Sequence, residues 1–212
     1  MDLKDISVSE LADLTASKSP APGGGAIAAM TGAYGAALAA MVARLTIGKK
    51  GFDDVQSDME YLAQSADELR ATLLDAIQKD SSSFDAFMDA LRMPKETEEE
   101  KVQRKLAMQE ALKHAAEVPY QTALDASKIM PLAEQAVQKG NPQAVTDALV
   151  AAMMARTAVR SALLNVKINL ESITDVAYAA EMRDKCQNLE GDVVKYESHI
   201  LSLVPELAYC RS

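Results

Sequence analysis

The longest run of helical periodicity places Leu69, Leu73, Ile77, Phe84, Phe87 and Leu91 on one stripe, with steps of three and four, and predicts a helix over 53–91. One member of that series is not apolar. Asp80 stands three residues after Ile77 and four before Phe84, where the stripe calls for a hydrophobic side chain. Upstream, Ser7-x-x-Glu10 has the spacing of a capping box and predicts a short helix from Val8 to about Ser17. Pro20, Pro22 and Gly23–Gly25 then break the chain before an Ala-rich run that predicts a helix to about Ile47. Its two small-residue rows, Gly32/Ala36/Ala40 and Ala29/Ala33/Ala37, let other helices approach its backbone closely. Gly48-Lys49-Lys50-Gly51 reads as its C-cap and turn.

Downstream, Met93-Pro94 stops the stripe-bearing helix, and Thr97-x-x-Glu100 caps a charged, amphipathic helix over 98–117. Pro119 and Pro131 are each expected to interrupt or restart it. Asn141-Pro142 caps a helix from Gln143 to about Asn169, and a last one runs from Asp175 to about Leu203. At 100° per residue, Asp147 and Asn165 face the same way, with Asn169 about 40° off, while Arg156, Arg160 and Lys167 lie roughly opposite. Asp147 and Asn165 are nevertheless about 27 Å apart along a straight helix. Either they serve two sites, or a second subunit brings them together.

Composition narrows the class. The chain has 212 residues, 49% of them apolar but only 4% aromatic, with no Trp; Ala, Leu and Met supply the bulk, which favours an all-α protein. A net charge of −9 argues against nucleic acid or an anionic membrane as partner. Cys186, Cys210, His114 and His199 are too scattered for a disulfide framework or a metal site, so no metal and no cofactor are expected. The Ala-rich helix is long enough to span a bilayer, but Ala and Gly dominate it and Arg44 stands near its end. Asp2, Lys4 and Asp5 interrupt any signal-peptide pattern, and a cytoplasmic location is expected.

Three features carry candidate chemistry, each with a structural alternative. The glycines offer free backbone N–H groups and a helix dipole to an anion, or simply let helices pack. Lys49 and Lys50 suit the end of a helix dipole, or contact an anionic ligand. Asp80, on an apolar stripe, is costly to ionise and so fitted to be a general acid; it is otherwise a buried, hydrogen-bonded structural carboxyl, or marks where the stripe surfaces. Asn165 and Asn169 cap helix ends or hold a ligand.

Several ordered motifs resemble the formiminotetrahydrofolate cyclodeaminase domain and the related bacterial methenyltetrahydrofolate cyclohydrolases. They are Ser19-Pro-Ala-Pro-Gly-Gly-Gly25, Leu45-Thr-Ile-Gly-Lys-Lys50, Asp80-x3-Phe84-x-Ala-Phe87, Met93-Pro-Lys95-x-Thr97-x-Glu99-Glu-Lys101, Val118-Pro119, Gly140-Asn141, Thr146-Asp-Ala148 and Asn165-Val-x-Ile168-Asn169-Leu170. The resemblance runs from about Leu3 to Leu203. It implies one domain over 1–212, a dimeric bundle of long antiparallel helices with an orthogonal short helix at the N-terminus, and a tetrahydrofolate derivative as substrate. It further implies conversion of 5-formiminotetrahydrofolate to 5,10-methenyltetrahydrofolate with loss of ammonia, with cyclohydrolase activity as the alternative and a non-catalytic folate binder or helical scaffold as the reading from another class. A formiminotransferase is the partner it suggests. By the same carry-over, Asp80 and Asp147 are the catalytic acids, and Pro22, Gly23, Gly24, Gly25, Lys49, Lys50, Phe84, Lys95, Asn141, Asn165 and Asn169 bind substrate. The lysines and glycine-loop amides together would hold the glutamate tail. Ala26, Arg44 and Ser161 depart from the family's usual serine, small or amide residue, and glycine at those positions.

Overall fold

The computed structural model describes residues 2–207; Cys210 lies outside them. Seven α-helices account for most of this stretch: α1 (Val8–Thr15), α2 (Gly24–Arg44), α3 (Gln56–Arg92), α4 (Glu98–Ser127), α5 (Ile129–Lys139), α6 (Val145–Leu170) and α7 (Val176–Ser202). No strand occurs among the described residues. Both expected capping boxes form: Ser7 and Thr97 each accept the N–H three residues on, and Glu10 and Glu100 reach back to the cap N–H. Asn141 caps the chain as expected, but Pro142–Ala144 is a 3-10 turn and α6 starts at Val145. Gly48 and Gly51 take positive φ (71° and 87°), which ends α2 in a tight turn that residues with a Cβ adopt poorly.

Pro119 does not interrupt its helix. The helix α4 runs straight through it, and the break comes at Lys128, with Pro131 in the first turn of α5. Proline at position 119 removes the N–H that would bond Ala115 O one turn earlier. That carbonyl is satisfied instead by the side-chain amide of Asn169, at 2.7 Å. A polar group from a neighbouring helix replaces the lost ladder bond, so the helix continues.

The core lies around α2 and α6, which are packed against each other and against α3 and α4. Gly32 faces Ala158, Gly35 faces Ala151 and Ala155, and Gly24 faces Asn165, so α2 and α6 run antiparallel. Gly32 also faces Leu73 and Gly25 faces Asp80, which makes α2 antiparallel to α3. A Cβ at Gly32 or Gly35 would sit only 3.1–3.2 Å from its nearest neighbour, so the small residues set the close spacing. Both α2 and α6 are long and apolar enough for a membrane span by length and composition, and both are central helices of the bundle, with 61% and 50% of those apolar stretches buried in it. The last helix, α7, packs against the bundle: it buries Ala179, Met182, Cys186 and Ile200, and Glu197 pairs with Arg156 of α6 at 2.9 Å.

Candidate active site

The start of α2 has no side-chain cap of its own, since its N-cap is Gly23. The first-turn N–H groups of a helix lack intrahelical partners, and here one of them is taken by another helix. Asp80 of α3 sits over this turn and accepts the Ala26 N–H. The fit depends on glycine, because a Cβ at Gly25 would lie 2.0 Å from Asp80 Oδ1. Burial pushes the Asp80 carboxyl above the usual carboxylate range, and the Ala26 hydrogen bond opposes this without cancelling it. The misfit read from the hydrophobic stripe is therefore a real desolvated acid, half-buried rather than sealed.

Asp80 opens onto a cavity of about 280 Å³, with Gly23 and Gly24 on one side, Ser83 and Phe84 of α3 on another, and Asn165, Ile168 and Asn169 of α6 opposite. None of the described residues lining it is lysine or arginine. The two amides are partly spent. Asn169 gives both its N–H groups to carbonyls, of Ala115 and Asn165, and Asn165 gives one to Ser161 O. What Asn169 can offer a ligand is its carbonyl oxygen. The cavity thus combines one acid whose pKa is raised by burial, amide acceptors, backbone N–H groups at a helix start and an aromatic ring.

Of the residues expected at the site, the fold brings together Asp80, Gly23, Gly24, Gly25, Phe84, Asn165 and Asn169, with Pro22 buried in the loop below. The other five lie elsewhere in the chain. Lys49 reaches Gln143 at 3.4 Å, and the Asn141 N–H bonds Thr46 Oγ1 at 2.9 Å, so Lys49, Lys50, Asn141 and Asp147 cluster at the far end of α2 and the start of α6. With α2 spanning about 31 Å, the lysines and the glycine-loop amides of one chain cannot grip one glutamate tail together, and Asp147 cannot join Asp80 within that chain. Lys95 is exposed in the α3–α4 turn, about four helical turns beyond Asp80. Arg44 pairs with Asp67 away from the cavity, and Ala26 contributes through its backbone.

Sequence reasoning missed Ser83, Ala115 and Ile168. Ser83 follows Asp80 by three and shares its face, a signal that was available; its hydroxyl donates to Asp80 O at 2.8 Å. Ile168 follows Asn165 by three and shares its face, the same kind of signal, whereas Ala115 arrives from α4 and carries no local mark.

A profile of the family described as formiminotransferase-cyclodeaminase matches residues 7–188, most of the chain. The chain belongs to that family. This family member is 43% identical over 179 residues to the methenyltetrahydrofolate cyclohydrolase of Methylorubrum extorquens, covering 84% of this chain and 85% of that protein. It is 36% identical over 187 residues to rat formimidoyltransferase-cyclodeaminase, covering 88% of this chain but only 35% of the rat protein's length. Among solved structures, the formiminotetrahydrofolate cyclodeaminase of Thermotoga maritima superposes with a TM-score of 0.86 at 29% identity, covering 98% of this chain and all of that one. The cyclodeaminase-family chain is accordingly an all-α enzyme of the cyclodeaminase or cyclohydrolase kind.

Proposed function

We propose that this chain closes the one-carbon ring of 5-formiminotetrahydrofolate and expels ammonia, forming 5,10-methenyltetrahydrofolate, with Asp80 as general acid. The observation that supports this most is a carboxyl whose pKa is raised by burial, seated on a glycine turn in a cavity without a cation. N10 attacks the formimino carbon; the C–N10 bond forms while the C=N pair moves onto the imino nitrogen. The proton that N10 gives up balances that nitrogen's new charge. The amine so formed leaves only after a second proton arrives, and Asp80 supplies it. The N5 lone pair then breaks the remaining C–N bond, ammonia departs, and the carbon is left as an amidinium-like cation. One proton is consumed per turnover, and solvent reloads Asp80 through the exposed rim at Gly24 and Ile168. The resulting carboxylate and the Asn169 carbonyl oxygen face the new positive charge, an electrostatic stabilisation that water would weaken.

Hydrolysis of the methenyl cation to 10-formyltetrahydrofolate is the second reading, favoured by 43% identity along most of a cyclohydrolase. Water adds to the carbon and loses a proton, N5 takes up a proton, and the C–N5 bond opens as the carbinol hydroxyl gives up its own proton to become the formyl carbonyl, so one proton is released overall. The two reactions make opposite demands. Deamination needs Asp80 protonated and slows as pH rises through its pKa, whereas hydrolysis needs Asp80 as a base and quickens. Purified protein assayed against both folates, with ammonia and methenyl absorbance followed across pH, separates them; Asp80→Asn should stop turnover with the fold intact. Turnover of neither folate, or wild-type turnover by that variant, defeats the proposal. In this reading the chain works as one helical domain in the cytoplasm, and a separate formiminotransferase supplies its substrate.

A further inference from the structure

The cavity around Asp80 is too small and wrongly charged to hold a whole folate. At about 280 Å³ it lies at the low end of ligand pockets, which run to about 1,000 Å³, enough for a ring system but not for a glutamate tail. The tail is anionic, and no lysine or arginine lines the cavity among the described residues. A cation that suits the tail stands further out, along the helices that lead away from the cavity.

Arg44, Arg70, Arg92, Arg156, Arg160 and Arg183 each pair with a carboxylate. Among the described residues, Arg104 of α4 is the arginine that does not. The acid one turn before it, Glu100, is committed to the start of α4, where it accepts the N–H groups of Glu96 and Thr97. Arg104 instead lays its Nε and Nη2 on the carbonyl oxygen of Leu91, at 3.1 and 3.0 Å. That carbonyl belongs to the last turn of α3, whose C=O groups lack partners in their own helix. The contact fixes one edge of the guanidinium fork and leaves the other, Nη1 with Nη2, open to a carboxylate.

The way from the cavity to Arg104 is apolar. Asp80 of α3 and Ala115 of α4 both line the cavity, and Leu91 meets Arg104 further along the same antiparallel hairpin. Phe87 and Leu91 lie within about 20° of Asp80 around α3, and Met108 and Arg104 within about 20° of Ala115 around α4, so all four share the cavity's side of the hairpin. Phe84, Phe87 and Met108 are half-buried there, which makes a track suited to an aromatic ring. Length decides the fit. Leu91 stands about 16 Å beyond Asp80 along α3. In a folate, the aminobenzoyl ring and the bonds after it put the glutamate carboxylates roughly 10–13 Å from N10, and a hydrogen bond of about 3 Å at each end makes up the rest. We propose that Arg104 receives a carboxylate of the glutamate tail while Phe84 and Phe87 carry the aminobenzoyl ring. This inference rests on the reading of the substrate as a folate that reacts at Asp80.

Kinetics on two substrates test it: whichever of the two folates the wild type turns over, and its pteroate form, which lacks the glutamate. Arg104→Gln keeps an N–H donor for Leu91 O and drops the charge. On the tail-bearing folate it should raise KM about ten- to a hundred-fold, as the loss of a charge-assisted contact implies. Its kcat should stay within about two-fold of wild type, because the tail is held equally in ground and transition states. Arg104→Lys restores the charge without the fork and should recover part of the loss. Wild type should show the same rise in KM when pteroate replaces the tail-bearing folate, and on pteroate the variants and wild type should share one KM. A wild type that treats both substrates alike, a tail-bearing KM unchanged in Arg104→Gln, or an equal rise on pteroate overturns the tail site; Arg104 is then a cap of α3, and the role of Asp80 stands. Wild-type protein that turns over neither folate overturns the reading of the substrate, and this inference with it.

Discussion

Replacing Gly25 by alanine separates the chemistry of the site from the stability of the fold. The added Cβ would lie 2.0 Å from Asp80 Oδ1, 2.5 Å from its Cγ and 2.7 Å from Oδ2, where ordinary contact begins at 3.4 Å. The carboxyl must retreat by about 1.4 Å, and only the short Asp80 side chain needs to move, because no backbone atom is among these contacts. Gly25 is already helical, so alanine gains up to about 1 kcal/mol of helix propensity. Against that stands the Ala26 N–H bond to Asp80, worth about 1.5–3 kcal/mol when the acceptor is charged and less for a protonated acid. These terms nearly cancel, and the urea midpoint should stay close to wild type. Catalysis has no such compensation. A displacement beyond 1 Å costs on the order of 100-fold in rate, or about 2.7 kcal/mol in activation free energy. The assay is kcat and KM for methenyl formation and ammonia release, run on Gly25→Ala, Asp80→Asn and the double variant. The loss should fall on kcat, and Gly25→Ala should add nothing to Asp80→Asn, since both disable one group. Wild-type kcat in Gly25→Ala, or additive losses in the double variant, would refute the placement of the reacting proton on Asp80.

Three further predictions test the surrounding structure. A carboxyl whose pKa is raised on folding holds its proton more tightly in the folded state, so wild-type stability falls as pH climbs from the ordinary value of 3.8 through the raised one; Asp80→Asn, which does not titrate, should therefore gain in Tm relative to wild type between pH 4 and pH 7, and a gap that narrows instead would show that burial is not the dominant influence. Asn169→Ala leaves Ala115 O without a partner and should cost about 1–3 kcal/mol by urea unfolding; adding Pro119→Ala restores a backbone N–H one turn on and should recover much of it, and no recovery would sink the account of how the helix passes its proline. Gly140→Ala puts a Cβ 2.3 Å from Ala136 O and 2.8 Å from Val42 Cγ1, so a loss of about 1–3 kcal/mol is expected, and an unchanged urea midpoint would contradict the tight packing of that turn.

Helix starts were readable from the chain because capping is local. Ser7 with Glu10, Thr97 with Glu100 and the Asn141 cap each act within three residues, so no distant partner is needed. Pro119 misled for the complementary reason: proline's cost is local, while its remedy, Asn169, is fifty residues away. Asp80 announced itself as a polar interruption of an apolar stripe, and helical geometry alone put Asp147 and Asn165 on one face.

The amino-acid sequence by itself determined that the chain is helical, where most helices begin, and which acid is out of place, since these follow from periodicity, capping and side-chain polarity over a few residues. Tertiary structure decided which groups share a site. The antiparallel packing of α2 against both α3 and α6 sets Asp80, Gly25 and Asn165 together and sends Lys49, Lys50 and Asp147 to the opposite end. No spacing along the chain encodes that division, because it depends on the direction in which helices pack.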